Sequence, residues 1–207
     1  MVEWEDVQIQ LIDLPALSRQ HMEPWVMNLV RSADLLLLVV EPSDPAVLEE
    51  LEESEAILND HKVYLRPTEG ELPRGGVVLP ALVVLNKLDL PGAGDNAAAV
   101  QEFFGGRYAY FAVSAEGGQG IAELKEHLFR KLDRVRVYTK QPGKPAEMGR
   151  PYVLKTGSTV MDLCGLVHHD FVEGLKFARV WGKAEFEGQR VNRDYELADG
   201  DVIELHR

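Results

Sequence analysis

The sequence is short of cysteine, of basic residues and of long apolar runs. Its one cysteine among 207 residues, Cys164, excludes an internal disulfide and fits a reducing compartment. No apolar run approaches the roughly 20 residues that cross a bilayer. The acidic start "MVEWEDVQIQ" lacks the basic leader and the apolar core of an export signal. We therefore expect a cytoplasmic protein that does not enter a membrane.

The shortage of basic residues is confined to the first two thirds of the chain. Residues 1–133 hold 10 Lys and Arg against 23 Asp and Glu, whereas residues 134–207 hold 12 against 11, and the whole chain carries a net charge of −12. A strongly acidic surface repels phosphate backbones. Any contact with nucleic acid is therefore expected in the last third, where the charge is close to neutral.

Strand and helix patterns alternate over the first two thirds. Strands are predicted over residues 7–13, 34–41, 81–89 and 108–115, and amphipathic helices over 24–33, 44–59, 95–105 and 120–133. The strands at 34–41 and 81–89 are continuously apolar, which is typical of strands covered on both faces. This order predicts an α/β domain with a mostly parallel sheet and flanking helices. Residues 62–80, rich in Pro and Gly, are either an excursion or a functional loop.

The pattern changes near residue 134. A Pro/Gly/Lys-rich link over 139–151 precedes several short strands, and Thr159 and Asp162 have the spacing of a capping box before an apolar helix stripe. The stripe consists of Val160, Leu163, Val167 and Phe171. One helix against a small mixed sheet predicts an α+β, β-grasp (ubiquitin-like) fold. The chain is therefore predicted to form two domains, 1–133 and 134–207.

The stretch "LVVLNKLD" places polar residues directly after a buried strand, where open α/β sheets bind ligands. The Asp89 carboxylate can accept hydrogen bonds from guanine N1–H and its exocyclic amine, a pair of donors that adenine lacks. Asn86 can bond N7 and brace neighbouring loops, and the methylenes of Lys87 can lie across the base while its ammonium stays in water. A polar turn that merely follows a strand is the alternative.

A second polar turn, "SAEGGQGI", follows the next strand. Ser114 could hold this loop, and the N–H of Ala115 could donate to guanine O6. Ser-Ala alone carries no information. Its position one strand after NKxD, before a glycine-led helix, makes the two signals support each other.

The motifs "IDLPA", "NKLD" and "SAEGGQGI" resemble, in order, the switch, guanine-specificity and base-loop motifs of Obg/DRG-type translation-factor GTPases. "RVYTKQPGKP", "LKTGSTVMDLC" and "FARVWG" resemble the TGS domain of the DRG branch. The resemblance spans essentially the whole chain. It implies a truncated P-loop-GTPase-type sheet followed by a TGS domain, with GTP or GDP and Mg²⁺ as cofactors of the complete protein. It also implies that the TGS domain contacts ribosomes, RNA or protein partners.

The resemblance gives the opening motif a role. It implies that Asp13 holds Mg²⁺ through a water in a complete G domain, and a purely structural role at a strand end is the alternative. Ala16 stands where the family carries a glycine; it keeps the N–H but resists backbone conformations open to glycine. Leu17 stands where some GTPases carry a glutamine that orients water, and leucine cannot polarise water.

No phosphate loop of the form G-x-x-x-x-G-K-[ST] occurs in the sequence. That loop supplies most of the affinity for nucleotide through its N–H groups, lysine and hydroxyl. We therefore predict weak or negligible GTP binding, no hydrolysis and no catalytic residue in this chain.

The resemblance also implies a missing strand beside 34–41, and we expect the first strand or another molecule to fill that place. We expect the native polypeptide to begin upstream of Met1. The alternative is a degenerate paralogue, a non-enzymatic pseudo-GTPase adaptor that presents its TGS domain to RNA, a ribosome or a protein partner.

Three further features carry structural interpretations. His168 and His169 are predicted to lie on the surface rather than to bind metal, and Cys164 is predicted to lie in the core. The basic residues of the link, with Tyr138 and Tyr152 nearby, either touch RNA or form an ordinary solvated linker, which is the favoured interpretation. These basic residues are Lys140, Lys144, Arg150 and Lys155.

Overall fold

The computed structural model describes residues 1–19, 22–65, 71–104, 106–184 and 186–207. Part of the predicted loop over 62–80 lies outside the described residues. The chain divides into two compact units, one formed by Ile12–Leu132 and the other by Met1–Leu11 together with Asp133–Arg207.

Helices and strands are numbered separately along the chain. The helices are α1 (Pro24–Ser32), α2 (Val47–Asp60), α3 (Ala93–Phe104), α4 (Ile121–Lys131), α5 (Val160–Val167) and α6 (His169–Gly174). The strands are β1 (Val2–Trp4), β2 (Val7–Ile9), β3 (Leu36–Val40), β4 (Val63–Tyr64), β5 (Val77–Val78), β6 (Ala81–Leu85), β7 (Ala109–Ala112), β8 (Arg134–Thr139), β9 (Tyr152–Lys155), β10 (Phe177–Trp181), β11 (Gln189–Val191) and β12 (Asp201–His206).

The unit Ile12–Leu132 is an α/β domain built on a three-stranded parallel sheet in the order β3-β6-β7. The central strand, β6, is almost wholly buried, as its continuous apolar run predicts. Its core includes Leu51 and Leu58 of α2, Val30 of α1 and Val100 of α3. The predicted α/β class and the helix order are confirmed, with element ends shifted by a few residues. A short parallel pair, β4 with β5, lies between α2 and β6.

One face of strand β3 is more open than its apolar sequence predicts. Val39 is 59% exposed, so β3 is not covered on both faces. Among the described residues β3 pairs only with β6, and its other edge has no strand partner. The expectation that the chain's first strand fills this place is wrong for the single chain, because residues 2–9 pair with each other instead.

The other unit contains the predicted β-grasp fold. A mixed five-stranded sheet in the order β11-β10-β12-β8-β9 has β12 parallel to β8 and all other neighbours antiparallel. Helix α5 covers one face, and the core between them contains Leu163 and Cys164. Cys164 is fully buried, as predicted, and burial raises the pKa of its thiol.

The helix of the β-grasp unit begins at the predicted cap. One carboxylate oxygen of Asp162 accepts from the Thr159 N–H at 2.7 Å and from the Thr159 hydroxyl at 2.9 Å. The predicted apolar stripe is divided between two helices, because the backbone of His168 is extended and ends α5. His168 and His169 are exposed, and the ring of His168 accepts a hydrogen bond from the Asp170 N–H at 3.2 Å.

The first residues form a hairpin rather than a strand of the α/β sheet. β1 and β2 pair antiparallel, with Val2 opposite Ile9. Arg136 of β8 pairs with Glu5, Asp6 and Asp199, and its guanidinium lies 5.0 Å from the ring of Trp4. The hydroxyl of Tyr138 hydrogen-bonds Asp6. Through these contacts residues 1–11 belong to the β-grasp unit. The sequence analysis instead predicts that they belong to a first domain over 1–133.

Candidate functional site

The two predicted guanine motifs meet at one edge of the parallel sheet. The Asn86 side-chain oxygen accepts a hydrogen bond from the Ala115 N–H at 3.0 Å, across 29 residues of sequence. Backbone hydrogen bonds continue the connection: the Val113 N–H donates to the Leu85 carbonyl at 2.8 Å and the Leu88 N–H to the Val113 carbonyl at 3.0 Å. The ends of β6 and β7 are therefore joined at the place where open α/β sheets bind ligands.

The Asn86–Ala115 hydrogen bond changes one predicted role. The sequence analysis predicts that the Ala115 N–H donates to guanine O6. In the structure this N–H already donates to the side-chain oxygen of Asn86. The bracing role predicted for Asn86 is the one seen. Its amide N–H groups have no hydrogen-bond acceptor among the described residues, so they can donate to a ligand. The N–H of Glu116, next along the loop, has no hydrogen-bond acceptor among the described residues.

Asp89 and Ser114 lie close together in the same site. The Ser114 side chain, foremost among several influences, holds the pKa of the Asp89 carboxyl below its ordinary value. Asp89 is exposed, whereas Ser114 is only 1% exposed. The carboxylate is therefore ionised at neutral pH and is held by a buried hydroxyl, which suits it to accept hydrogen bonds from a ligand.

Lys87 adopts a left-handed backbone, with φ 65°. Such a conformation is uncommon for a residue with a side chain, and strained residues cluster at ligand sites. Its ammonium pairs with Glu41, just beyond β3, and the Glu41 carboxylate also accepts from the Ser43 hydroxyl at 2.6 Å. This pairing raises the pKa of Lys87 and lowers that of Glu41, for which the hydrogen bond from Lys87 is the main cause.

Glu41 is a site residue that sequence reasoning missed. From the sequence, the ammonium of Lys87 was predicted to stay in water. In the structure the parallel register of β3 with β6 brings Glu41 beside it. The available signal was an acid one residue past an apolar strand, at the same sheet edge as "NKLD".

The loop after β7 is shaped by two glycines. The Gly117 N–H donates to the Ser114 hydroxyl oxygen at 2.9 Å, and the Ser114 N–H donates to the Gln119 carbonyl at 3.0 Å. Gly120 has φ 74°, and a Cβ there would lie 2.6 Å from the Ala112 carbonyl oxygen. Only glycine fits this position, where the loop returns against the strand end and α4 begins.

Within the described part of the chain, no side-chain hydrogen bond or ion pair joins the opening motif, residues 12–16, to the loops after β6 and β7. β2 ends at Ile9, so Asp13 follows irregular backbone rather than a strand end, which corrects the prediction of a strand over 7–13. Asp13 is exposed, and its side chain makes no hydrogen bond or ion pair with any described residue. Ala16 is exposed as well, whereas Leu17 packs against the apolar core of its unit.

An apolar groove lies beside the site, between the sheet and α3. Leu85, Leu88, Ala97 and Tyr110 are among its lining residues. The residues predicted to contact guanine are not among them: Asn86, Lys87, Asp89, Ser114 and Ala115. The Tyr110 hydroxyl is buried and has no hydrogen-bond partner among the described residues, and burial raises the pKa of Tyr110.

Within the described ranges, no group of three or more His, Cys, Asp or Glu is placed to hold a metal ion. None of the helices described is both long and apolar enough to span a bilayer.

The chain therefore consists of a β-grasp unit and an α/β unit whose sheet has a polar edge. Residues 135–207 match the TGS domain family, so the chain carries a C-terminal TGS domain. Its relatives include proteins named as GTP-binding proteins and as developmentally-regulated G-proteins.

Two relatives show the extent of the likeness. An uncharacterized GTP-binding protein of Methanocaldococcus jannaschii is 28% identical over 263 aligned positions, which take in 99% of this chain and 67% of that protein. This alignment is longer than the chain itself, so the relative carries internal residues that the chain lacks. Developmentally-regulated G-protein 3 of Arabidopsis thaliana is 29% identical over 131 residues, covering 62% of this chain and 34% of that protein.

A solved structure agrees with the fold. The crystal structure of a GTP binding protein from Pyrococcus horikoshii matches 63% of this chain and 46% of its own, with a TM-score of 0.50 and 21% identity. The chain thus spans between about a third and two thirds of the length of these three proteins.

Proposed function

We propose that the edge formed by the ends of β6 and β7 recognises the guanine base of a nucleotide. The observation that supports this most is the Asn86–Ala115 hydrogen bond, with Asp89 held beside Ser114. It joins two motifs that the sequence keeps apart, at the sheet edge where a base could lie. The GTP-binding relatives support the same ligand class.

Each edge of guanine has a complementary group in this proposal. The ionised carboxylate of Asp89 accepts from N1–H and from the exocyclic amine. The Asn86 amide N–H donates to N7, because its oxygen is already occupied by Ala115. The Glu116 N–H donates to O6, and the aliphatic part of Lys87 covers the base while Glu41 fixes its ammonium. Adenine offers Asp89 a ring acceptor in place of a donor, and such a mismatch costs about 1–3 kcal/mol.

The described residues fit the base but not a triphosphate with Mg²⁺. The chain has no phosphate loop, and Asp13 lies on exposed irregular backbone. Among the described residues Asp13 belongs to no group of three or more His, Cys, Asp or Glu placed to hold a metal ion. We therefore expect the affinity of this chain to come from the base alone. Binding of GTP or GDP with Mg²⁺, with Asp13 at the metal, and any hydrolysis would belong to a complete G domain.

A titration of the full chain with guanosine, inosine, adenosine and GDP tests this proposal, with the backbone amides followed by NMR. Guanosine should shift the amides of residues 86–89 and 114–117 at millimolar concentration, inosine less because it lacks the exocyclic amine, and adenosine least. GDP should bind within about threefold of guanosine, a difference of less than 1 kcal/mol. Equal shifts with adenosine, or none with guanosine, would contradict the proposal.

A second candidate function is that of an adaptor that acts through its TGS domain. The TGS match over residues 135–207, together with the missing phosphate loop, favours it. In this proposal the β-grasp unit carries the contact with RNA, a ribosome or a protein partner, and the α/β unit serves as a scaffold. A cytoplasmic location is part of both proposals.

A further inference from the structure

We propose that two copies of this chain associate through the free edge of strand β3, the edge that has no strand partner among the described residues. In this dimer the two β3 strands pair antiparallel about a two-fold axis. The three-stranded sheets of the two copies then form one continuous sheet. Neither proposed function uses this surface, so the proposal is independent of guanine recognition and of the adaptor function.

Strand β3 has unpaired backbone groups along its free edge. On the side of β6, the Leu36 N–H donates to the carbonyl that precedes β6 at 3.0 Å, and the Val40 carbonyl accepts from the N–H that follows β6 at 2.9 Å. Alternate residues of a strand bond to the same neighbour, so the N–H and C=O groups of Leu37 and Val39 point away from β6. Among the described residues these groups have no hydrogen-bond partner. They are the groups with which an edge strand accepts a further strand.

A second β3 strand presents the complementary groups. With Leu38 of each copy on the two-fold axis, Leu37 of one copy lies opposite Val39 of the other. Residues opposed in this way in an antiparallel pair exchange two hydrogen bonds. The axis produces this pair twice, so every unpaired N–H and C=O of Leu37 and Val39 gains a partner. An axis at Val39 would instead oppose Leu37 to Glu41, whose carbonyl already accepts from the Asp44 N–H at 3.0 Å.

Apolar side chains on one face of β3 also lack cover. Leu82 and Val84 of β6 are 0% and 4% exposed, whereas Val39, beside Val84 in the parallel register, is 59% exposed. The apolar surface of the sheet therefore extends one strand beyond its cover. In the dimer Leu37 of the second copy packs against Val39, and such cross-strand apolar pairs stabilise a sheet. The opposite edge strand, β7, is described throughout and has no exposed large apolar side chain.

The charges around β3 permit a second copy. The strand itself, LLLVV, carries no charge, and it lacks the proline, lysine or bulge with which monomeric proteins protect an edge. With Leu38 on the axis, Asp34 lies opposite Pro42 and Glu41 lies opposite Leu35 of the other copy. No like charges oppose each other, although an acid flanks the strand at each end. A two-fold contact of this kind uses the same residues in both copies and closes at two chains.

Sedimentation equilibrium of the full chain over a wide range of protein concentrations tests the proposal. The variant Val39→Glu places a charge at the free edge. The matched control, Val153→Glu, places the same charge on β9, an edge strand of the β-grasp sheet where Val153 is 43% exposed. Thermal unfolding of each variant checks that the fold is retained.

We expect the mass of the unaltered chain to rise with concentration from that of one chain to that of two. Val39→Glu should weaken this association about tenfold or more, because pairing would bury an unpaired charge, whereas Val153→Glu should change it little. Added salt should strengthen the association, because residues 1–133 hold 10 Lys and Arg against 23 Asp and Glu and salt screens their repulsion. Guanosine should leave it unchanged, because pairing at β3 does not use the loops after β6 and β7.

Cross-linking tests the register, in a background where the buried Cys164 is replaced by alanine. Leu38→Cys places one thiol of each copy on the axis, in a pair whose Cα atoms lie about 4.5 Å apart, which a disulfide can span. Position 39 is more exposed but lies opposite Leu37 of the other copy, so the two thiols of Val39→Cys are farther apart. With oxidised glutathione, Leu38→Cys should therefore form the covalent dimer faster than Val39→Cys.

Four results would overturn the proposal. The mass of one chain at every concentration would leave the edge to a strand of a different protein. Growth beyond two chains would show an open-ended contact. Equal losses in the two glutamate variants would place the contact away from β3, and faster cross-linking of Val39→Cys would exclude the two-fold register. None of these results bears on the guanosine titration.

Discussion

Gly120 offers the sharpest structural test of the loop that carries Ser114 and Ala115. Replacing Gly120 by alanine forces a side chain into a left-handed backbone at φ 74°, which costs about 1–2 kcal/mol. It also places a Cβ at 2.6 Å from the Ala112 carbonyl oxygen and 3.1 Å from the Val113 side chain. Overpacking of this kind costs about 1–3 kcal/mol. The expected loss in the free energy of unfolding is therefore about 2–5 kcal/mol.

A neighbouring glycine separates the two costs. Gly118 has nearly the same φ, 76°, but an added Cβ there has no atom within 4 Å. Gly118→Ala should therefore lose only the backbone part, about 1–2 kcal/mol. Urea unfolding, followed by the fluorescence of Trp25 after Trp4→Phe and Trp181→Phe, reports on the α/β unit. Equal losses for the two variants would refute the argument that the close approach to Ala112 requires glycine.

Three further predictions concern the cap, the hairpin and the sheet edge. Thr159→Ala should cost the β-grasp unit about 1 kcal/mol in urea unfolding by removing the hydroxyl of the capping box, whereas Thr159→Ser should cost much less, and equal losses would contradict the cap. Burial, aided by Asp6, raises the pKa of Tyr138 to about 12. The contribution of the neutral Tyr138 hydroxyl to the stability of the fold is therefore complete below about pH 10 and is lost as the pH rises through 12. An ultraviolet titration should show a late tyrosine that Tyr138→Phe removes; an unchanged titration in that variant would contradict the Tyr138 assignment. If copies of the chain associate through the edge of β3 that has no strand partner among the described residues, Val39→Lys should weaken that association, measured by light scattering over a range of protein concentrations. Association that persists in Val39→Lys would show that this edge is not the contact between copies.

The sequence predicted the sheet and helices well where periodic burial determines them. The continuous run of β6, the amphipathic stripe of α4 and the cap at Thr159 each depend on local spacing, and each is confirmed. The pairing of residues 2–9 could not be read from their alternation, because period two fits both a hairpin and a strand in a larger sheet. What decides it is contact with Arg136 and Tyr138, more than a hundred residues away.

The candidate site was only partly predictable for the same reason. The strand-end positions of Asn86, Asp89 and Ser114 follow from local pattern and from the parallel topology. The pairing of Lys87 with Glu41 depends on the register between β3 and β6, which no local motif encodes. The hydrogen bond from Ala115 to Asn86 likewise depends on how closely the two loops approach.

Exchanging the acceptor of Asp89 for a donor tests whether this side chain recognises the Watson–Crick edge of guanine. Xanthine carries a carbonyl oxygen where guanine has its exocyclic amine, so an asparagine amide at position 89 can donate to it. The measurement is an NMR titration of the unaltered chain and of Asp89→Asn with guanosine and xanthosine. The unaltered chain should prefer guanosine, and Asp89→Asn should prefer xanthosine. An unchanged preference in Asp89→Asn would contradict this role of Asp89.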